Sequence, residues 1–115
     1  MFKVFSYLKK REGLSLDQFQ DYYENRHVPL ILSLAPTPLI YRRRYLPAEN
    51  ELTKSGNGIP YDATTELGFA DEASFQAWMA ALFAPGTAEK VETDEAQFLD
   101  RSKTCAYVVK EYVTA

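Results

Sequence analysis

The order in which strand and helix patterns follow one another most constrains the fold of this chain. Four segments have the alternation or composition of β-strands: residues 2–9, 39–46, 61–69 and 104–113. Helical patterns separate the first strand from the second and the third strand from the fourth. This β-α-β-β-α-β order predicts an α+β fold of the ferredoxin-like type, in which helices cover one face of a four-stranded antiparallel sheet.

The first helix has a well-marked start. Ser15 is placed to cap it, and Gln18 three residues later completes a capping box. An apolar stripe at helical spacing follows, formed by Leu16, Phe19, Tyr23 and His27. Pro29 disfavours helical geometry at Val28, so the helix is expected to stop or kink there.

The helices in the second half of the chain are less clearly marked in the sequence. Asp71 is placed to cap a second helix, and residues 87–100 form a weaker, acidic third helix. Residues 47–60 form the longest predicted loop, and residues 55–58 within it have the composition of a turn.

Length and composition exclude several classes of protein. A chain of 115 residues fits one domain, 1–115. Thirteen Lys and Arg against sixteen Asp and Glu give a net charge of −3, unlike the basic excess of nucleic-acid binders. One cysteine, Cys105, and one histidine, His27, are too few for an internal disulfide or a His/Cys zinc site, and we expect no cofactor. Because no apolar segment is long enough to span a bilayer and no signal-peptide pattern is present, we expect a cytoplasmic protein.

The sheet face that the helices leave uncovered is predicted to be partly apolar. Tyr41, Tyr45, Tyr107 and Val109 lie on the predicted strands, so neither face is wholly polar. A half-apolar face exposed to water requires a partner, and a second copy of the chain is the simplest one. We therefore expect a homodimer that pairs through this face.

Two motifs resemble the EthD-type family. The first is KREGLSLDQF at residues 10–19 followed by YYENRHVPL at residues 22–30, which is similar to that family's basic strand end, GLS cap and His-x-Pro helix. The second is YDATTELGF at residues 61–69, which is similar to its third strand. Gly68 departs from the pattern, because an aromatic residue is common there.

The resemblance implies a fold and a class of chemistry. The EthD-type family belongs to the dimeric α+β barrel superfamily, in which two ferredoxin-like sheets pack face to face. The cavity between helices and sheet binds flat aromatic or polyketide-like molecules in that superfamily. The resemblance therefore implies a cofactor-free enzyme for cyclisation, dehydration or isomerisation. Relatives that isomerise muconolactones use a cysteine where Leu67 stands here, so cysteine-dependent chemistry is not expected.

His27 is the natural proton carrier, because imidazole is the side chain that titrates near neutral pH. A structural histidine that holds a neighbouring strand is the alternative. Asp62 is a candidate to orient His27, and Arg42 or Arg44 is a candidate to hold an anionic oxygen of the substrate. A cross-strand ion pair of either arginine with Glu66 is the alternative for these charges.

A predicted substrate pocket completes the candidate site. Its residues are Tyr7, Tyr23, Arg44, Leu67, Phe75, Trp78 and Phe83. Two other functions use the same pocket. One is a non-catalytic module that binds or carries a hydrophobic small molecule. The other is a haem-binding or oxygen-using protein with His27 as axial ligand.

Overall fold

Four strands form one antiparallel sheet within residues 1–53 and 58–115, the part of the chain that the computed structural model describes. The strands are β1 Phe2–Leu8, β2 Ile40–Tyr45, β3 Ala63–Phe69 and β4 Cys105–Val108. Their spatial order is β2-β3-β1-β4, and every neighbouring pair is antiparallel. The predicted ferredoxin-like α+β fold is confirmed.

The helices begin where their caps predict. They are α1 Leu16–Tyr22, a π-helical turn Tyr23–His27, α2 Val28–Leu34, α3 Glu72–Leu82 and α4 Thr87–Phe98. The backbone N–H of Gln18 donates to Ser15 Oγ at 3.1 Å, and the N–H of Ser15 donates to Gln18 Oε1 at 2.9 Å. Asp71 caps α3 by accepting the N–H of Ser74 at 2.8 Å. The capping box and the Asp71 cap are both confirmed.

The first helix does not stop before Pro29; instead, the π-helical turn Tyr23–His27 interrupts its regular α-helical geometry. Val28 has helical dihedral angles, φ −58° and ψ −49°, and its N–H donates to the carbonyl of Tyr23 across the π turn. Pro29 lies in the first turn of α2, where the missing N–H costs little. The wide turn thus admits proline without ending the helix, and such turns are frequent at functional sites.

The end of the chain is less regular than predicted. Strand β4 stops at Val108, and beyond it the N–H of Val109 donates to the carbonyl of Lys3 at 3.2 Å. Glu111 then lies beside the same lysine, with its Oε2 2.8 Å from Nζ. The turn predicted at residues 55–58 lies outside the described residues, apart from Gly58, which has a positive φ of 59°.

The apolar core lies between the helices and the side of the sheet that they cover, here called the helix face. Phe19 of α1 and Phe98 of α4 are fully buried there, with their ring centroids 5.7 Å apart. Burying such a side chain stabilises the fold by roughly 1.5–3 kcal/mol. A second cluster, formed by Val4, Leu67 and Phe69, packs against α3. No helix in the described part of the chain is long and apolar enough to cross a membrane.

The uncovered side of the sheet, here called the open face, carries two of the four residues named for the two faces. Tyr107 and Val109 lie there, since Tyr107 packs against Tyr7 and Val109 borders Lys3. Tyr41 and Tyr45 instead lie on the helix face, where the Tyr45 ring packs edge-on against α1. Because side chains alternate along β2, Arg42 and Arg44 lie on the open face and the two tyrosines do not.

Charges occupy the centre of the open face. Glu66 is only 4% exposed and accepts Arg44 Nη1 at 3.1 Å, while Lys3 Nζ lies at 3.0 Å and Arg42 Nη1 at 3.8 Å. Burial opposes ionisation of Glu66, but the hydrogen bonds from Lys3 and Arg44 outweigh it and lower its pKa. The predicted cross-strand ion pairs are confirmed. Gly68, next to this cluster, has no room for a Cβ, which would lie 2.9 Å from the Cβ of Ile40.

Candidate functional site

A cavity of about 330 Å³ lies between the helix face of the sheet and helices α2, α3 and α4. Its walls are mainly apolar and aromatic. The side chains that give it this character include Val4, Ile31, Leu67, Phe75, Trp78 and Leu82. Ligand pockets have volumes of about 300–1,000 Å³, so the cavity is large enough for one small flat molecule.

His27 borders this cavity at the end of the π turn. Its Nδ1 lies 2.5 Å from Oδ2 of Asp94 on α4, and both residues are buried. Tyr22 donates its hydroxyl hydrogen to the other oxygen, Oδ1, at 2.9 Å. Asp94 is thus shared by two donors from the first helix, and it fixes the ring of His27.

The hydrogen bond to Asp94 defines which nitrogen of His27 is available. A neutral imidazole has one N–H, and a carboxylate neighbour holds it on Nδ1. Nε2 then presents its lone pair. Burial lowers the pKa of His27 below its ordinary value of 6.5, and the hydrogen bond and charge of Asp94 offset part of that effect. At neutral pH the ring is therefore an uncharged base beside an apolar cavity.

Two tyrosines, Tyr23 and Tyr41, line the cavity, and Tyr23 lies next to His27. The Tyr23 ring lies edge-on to the His27 ring, with centroids 5.2 Å apart, and its hydroxyl hydrogen-bonds Thr65 Oγ1 on β3. Burial raises the pKa of Tyr23 to about 12 and raises that of Tyr41 further. Both side chains therefore stay neutral, and they act as hydrogen-bonding walls rather than as anions.

Charged residues at the carboxyl end of α4 form the other polar part of the lining. Glu92, Glu95 and Arg101 all border the cavity. Arg101 Nε lies 3.4 Å from Glu95 Oε1, and its Nη1 lies 3.7 Å from Glu92 Oε1. Burial raises the pKa of Glu95, and the charge of Arg101 opposes this rise.

The structure brings together most of the predicted site residues. The residues that line the cavity as predicted are His27, Tyr23, Leu67, Phe75, Trp78 and Phe83. They come from the first helix, β3 and α3, which are far apart in sequence. The helical stripe and the alternation of β3 therefore place these side chains on the cavity side of the sheet.

Four predicted site residues lie elsewhere. Tyr7 is on the open face, where its ring packs against those of Tyr61 and Tyr107. Arg42 and Arg44 are also on the open face and pair with Glu66. The sheet therefore separates these three residues from His27, because side chains alternate along each strand.

Asp62 is also separated from His27. Its Oδ2 accepts the backbone N–H of Lys10 at 2.9 Å and lies 3.5 Å from Lys9 Nζ, so it ties the end of β1 to the start of β3. The arginine of β2 that does lie on the helix face is Arg43, and Glu24 holds it through two contacts of 3.0 and 2.5 Å.

Asp94 and Glu95 were missed by sequence reasoning. Both belong to the acidic helix α4, in which no site residue was predicted. The available signal is spacing, because Val91, Glu95 and Phe98 recur at helical intervals on one face. In the described residues no group of three or more His, Cys, Asp or Glu side chains is arranged to hold a metal ion.

The depressed pKa of His27 predicts a pH dependence of stability. In the unfolded chain this histidine takes up a proton near pH 6.5, whereas in the folded protein it does so only at lower pH. The unfolded state therefore binds more protons in this interval, and the free energy of unfolding is expected to fall as pH decreases through it. Urea unfolding at a series of pH values measures this slope.

The matched variant for that measurement is His27→Asn, whose amide N–H can still donate to Asp94. His27 is the one histidine of the chain, so the variant has no imidazole titration. Glu95, with its raised pKa, acts in the opposite direction but is present in both proteins. The prediction would be contradicted if the free energy of unfolding had the same slope against pH in both proteins between pH 6.5 and the lower pKa of His27 in the folded protein.

Comparison with known proteins gives matches in fold and family. A model of the EthD domain matches residues 11–102. A protein of Arabidopsis thaliana is similar in structure with a TM-score of 0.67 at 14% identity, covering 100% of this chain and 99% of its own. An EthD family protein of Bacillus halodurans gives a TM-score of 0.64 at 15% identity, and the match covers 97% of this chain and 100% of that protein. A dimeric ferredoxin-like protein of Thermobifida fusca gives a TM-score of 0.56 at 13% identity, and the match covers 94% of this chain and 90% of that protein. No curated protein matches the sequence significantly.

Proposed function

The chain belongs to the EthD domain family, and on that premise we propose that it is an enzyme that moves a proton within a flat aromatic or polyketide-like molecule. Cyclisation, dehydration and isomerisation of such molecules share one demand, which is removal of a proton from carbon next to a carbonyl group. His27 is the base that performs this step, and no cofactor is required for it. The rest of the site binds and orients the substrate.

The observation that carries this proposal is the pairing of His27 with Asp94 at an apolar cavity. The 2.5 Å contact fixes the ring and leaves Nε2 to accept a proton. As that proton arrives, the imidazolium that forms is stabilised by the buried carboxylate. General acid–base groups of this kind contribute about 10²–10⁴-fold to a rate.

The lining of the cavity supports a flat, mostly apolar substrate. Aromatic rings from α3 lie on one side and Leu67 of β3 on another. An anionic oxygen that develops on the substrate requires a donor or a positive charge. Because Arg42 and Arg44 lie on the open face, we assign this role to Arg101, which borders the cavity.

A carrier protein would use the same cavity without turnover, and nitrobenzisoxazole distinguishes the two functions. This flat probe loses its C–H proton to a base while its N–O bond breaks, giving a coloured cyano-nitrophenolate. We expect turnover that saturates with probe concentration and exceeds that of free imidazole. Saturable binding of the probe without turnover would favour the carrier.

We also propose that two copies of the chain pair through their open faces. The support is the exposed aromatic side chain of Tyr107 on that face, together with the dimeric description of the Thermobifida fusca neighbour. Light scattering at micromolar concentration is expected to give the mass of a dimer. Tyr107→Glu is expected to shift the mass towards the monomer, because it replaces an aromatic contact of the interface with a charge that would have to be buried there.

Leu32→Glu is the matched control for the dimer, because Leu32 is exposed on α2, away from the open face. It is expected to leave the mass unchanged. A monomer mass for the unsubstituted protein would overturn the pairing. If Leu32→Glu lowered the mass and Tyr107→Glu did not, the interface would lie on the helix side of the sheet instead.

A further inference from the structure

One face of α4 borders the cavity, and two carboxylic acids, Glu92 and Glu95, lie among its apolar side chains. Ala88, Val91 and Phe98 lie on this face, and Glu95 lies between Val91 and Phe98. Its neighbour in sequence, Asp94, turns instead to Nδ1 of His27. The same turn of helix thus holds the base in place and presents a second proton-bearing group to the cavity.

We propose that Glu95 is the second proton-transfer group of this site and that the substrate is a flat ketone with a carbon–carbon double bond one position removed from conjugation. This inference rests on the proposed role of His27. It narrows the reaction from proton removal in general to the transfer of a proton between two carbons of one molecule.

The step balances without any further reagent. Nε2 of His27 takes a proton from the carbon between the carbonyl and the double bond, and the electron pair of that C–H bond moves into a dienolate. Glu95 then gives its proton to the far carbon of the former double bond, and the double bond shifts into conjugation. Transfer of the proton from His27 back to Glu95 through water restores both groups, so the net change is isomerisation.

The surroundings of Glu95 suit a group that must be protonated when the substrate binds. Burial favours its neutral form, and the nearby carboxylates Glu92 and Asp94 act in the same direction. Arg101, with Nε at 3.4 Å, opposes this and stabilises the carboxylate that remains after proton transfer. His27 faces the same cavity and is uncharged at neutral pH.

The lining also suits a ligand with a hydrogen-bond acceptor such as a ketone oxygen. Arg101 borders the cavity, and its guanidinium carries N–H donors that can bind a ligand oxygen. A purely hydrocarbon ligand would make no such hydrogen bond.

Two probes separate the second proton transfer from the first. Elimination of nitrobenzisoxazole needs only a base, because its phenolate leaves without protonation. Isomerisation of β,γ-cyclohexenone to its conjugated isomer needs both a base and a proton donor. Glu95→Gln is expected to slow the isomerisation by about 10²-fold, the lower end of general acid–base contributions, and to leave the elimination within about twofold.

Glu89→Gln is the matched control, because Glu89 is an exposed glutamate of the same helix and does not border the cavity. It is expected to leave both rates within about twofold, since it transfers no proton. The unsubstituted protein gives a further readout. Its isomerisation rate is expected to fall on the alkaline side of the raised pKa of Glu95, and the elimination rate is not.

The outcomes are distinct. Equal effects of Glu95→Gln on both probes, or no effect on either, would overturn the role of Glu95. A protein that eliminates nitrobenzisoxazole but does not isomerise the ketone would overturn it too, while His27 remains the base. A protein that turns over neither probe would overturn the proposed function itself.

Discussion

Replacing His27 with asparagine is expected to lower the rate of nitrobenzisoxazole elimination by about 10³-fold, within the range that general bases contribute. The asparagine amide can still donate to Asp94, so the buried carboxylate keeps a partner. What disappears is the lone pair of Nε2 at the cavity. Initial rates across a range of pH, with circular dichroism and melting temperature as checks of folding, measure the effect.

Two companion measurements exclude a merely structural histidine. The dissociation constant of the probe is expected to stay nearly unchanged in His27→Asn, because the lost interaction acts on the transition state. Asp94→Asn is expected to move the acidic limb of the pH–rate profile to lower pH, since the charge of Asp94 partly holds up the pKa of His27. A folded His27→Asn protein with the original rate would remove His27 from the mechanism.

The parts of the fold that the sequence predicted depend on local rules. Ser15 and Gln18 form their capping box within one helical turn, and Asp71 caps α3 in the same way. The order of elements then limits the topology to few choices. The stripe from Phe19 to His27 is predicted to face the sheet, and these side chains are buried in the structure. The π turn keeps His27 on the same buried side as the others.

The parts of the site that the sequence missed depend on contacts across the fold. Asp94 is 67 residues from His27, and nothing local distinguishes it from the other acids of α4. The assignment of Arg42 and Arg44 to the site failed because side chains along a strand alternate, so an error of one position exchanges the two faces of the sheet. The tyrosines on either side of Arg42 and Arg44 gave no signal of which face the helices cover.

Phe19→Ala is expected to cause the largest loss of stability of any single substitution considered for this protein. Phe19 has no exposed surface, and its ring packs against those of Tyr23, Tyr45 and Phe98. Truncating a buried phenylalanine costs about 3–5 kcal/mol, because the free energy of transfer is lost and a cavity remains. The melting temperature is therefore expected to fall by on the order of 15 °C.

Phe83→Ala is the matched control for Phe19→Ala, because the same side chain is removed where it is 66% exposed. Its cost is expected to be about 0.5 kcal/mol or less, as for most surface substitutions. Urea unfolding of the three proteins measures both differences at one temperature. Because Phe19 holds α1 against both β2 and α4, its loss loosens the helical segment that carries His27, and the elimination rate is expected to fall as well. If Phe19→Ala and Phe83→Ala lost similar amounts of stability, the packing of the Phe19 ring would not contribute to the stability of the fold as its contacts indicate.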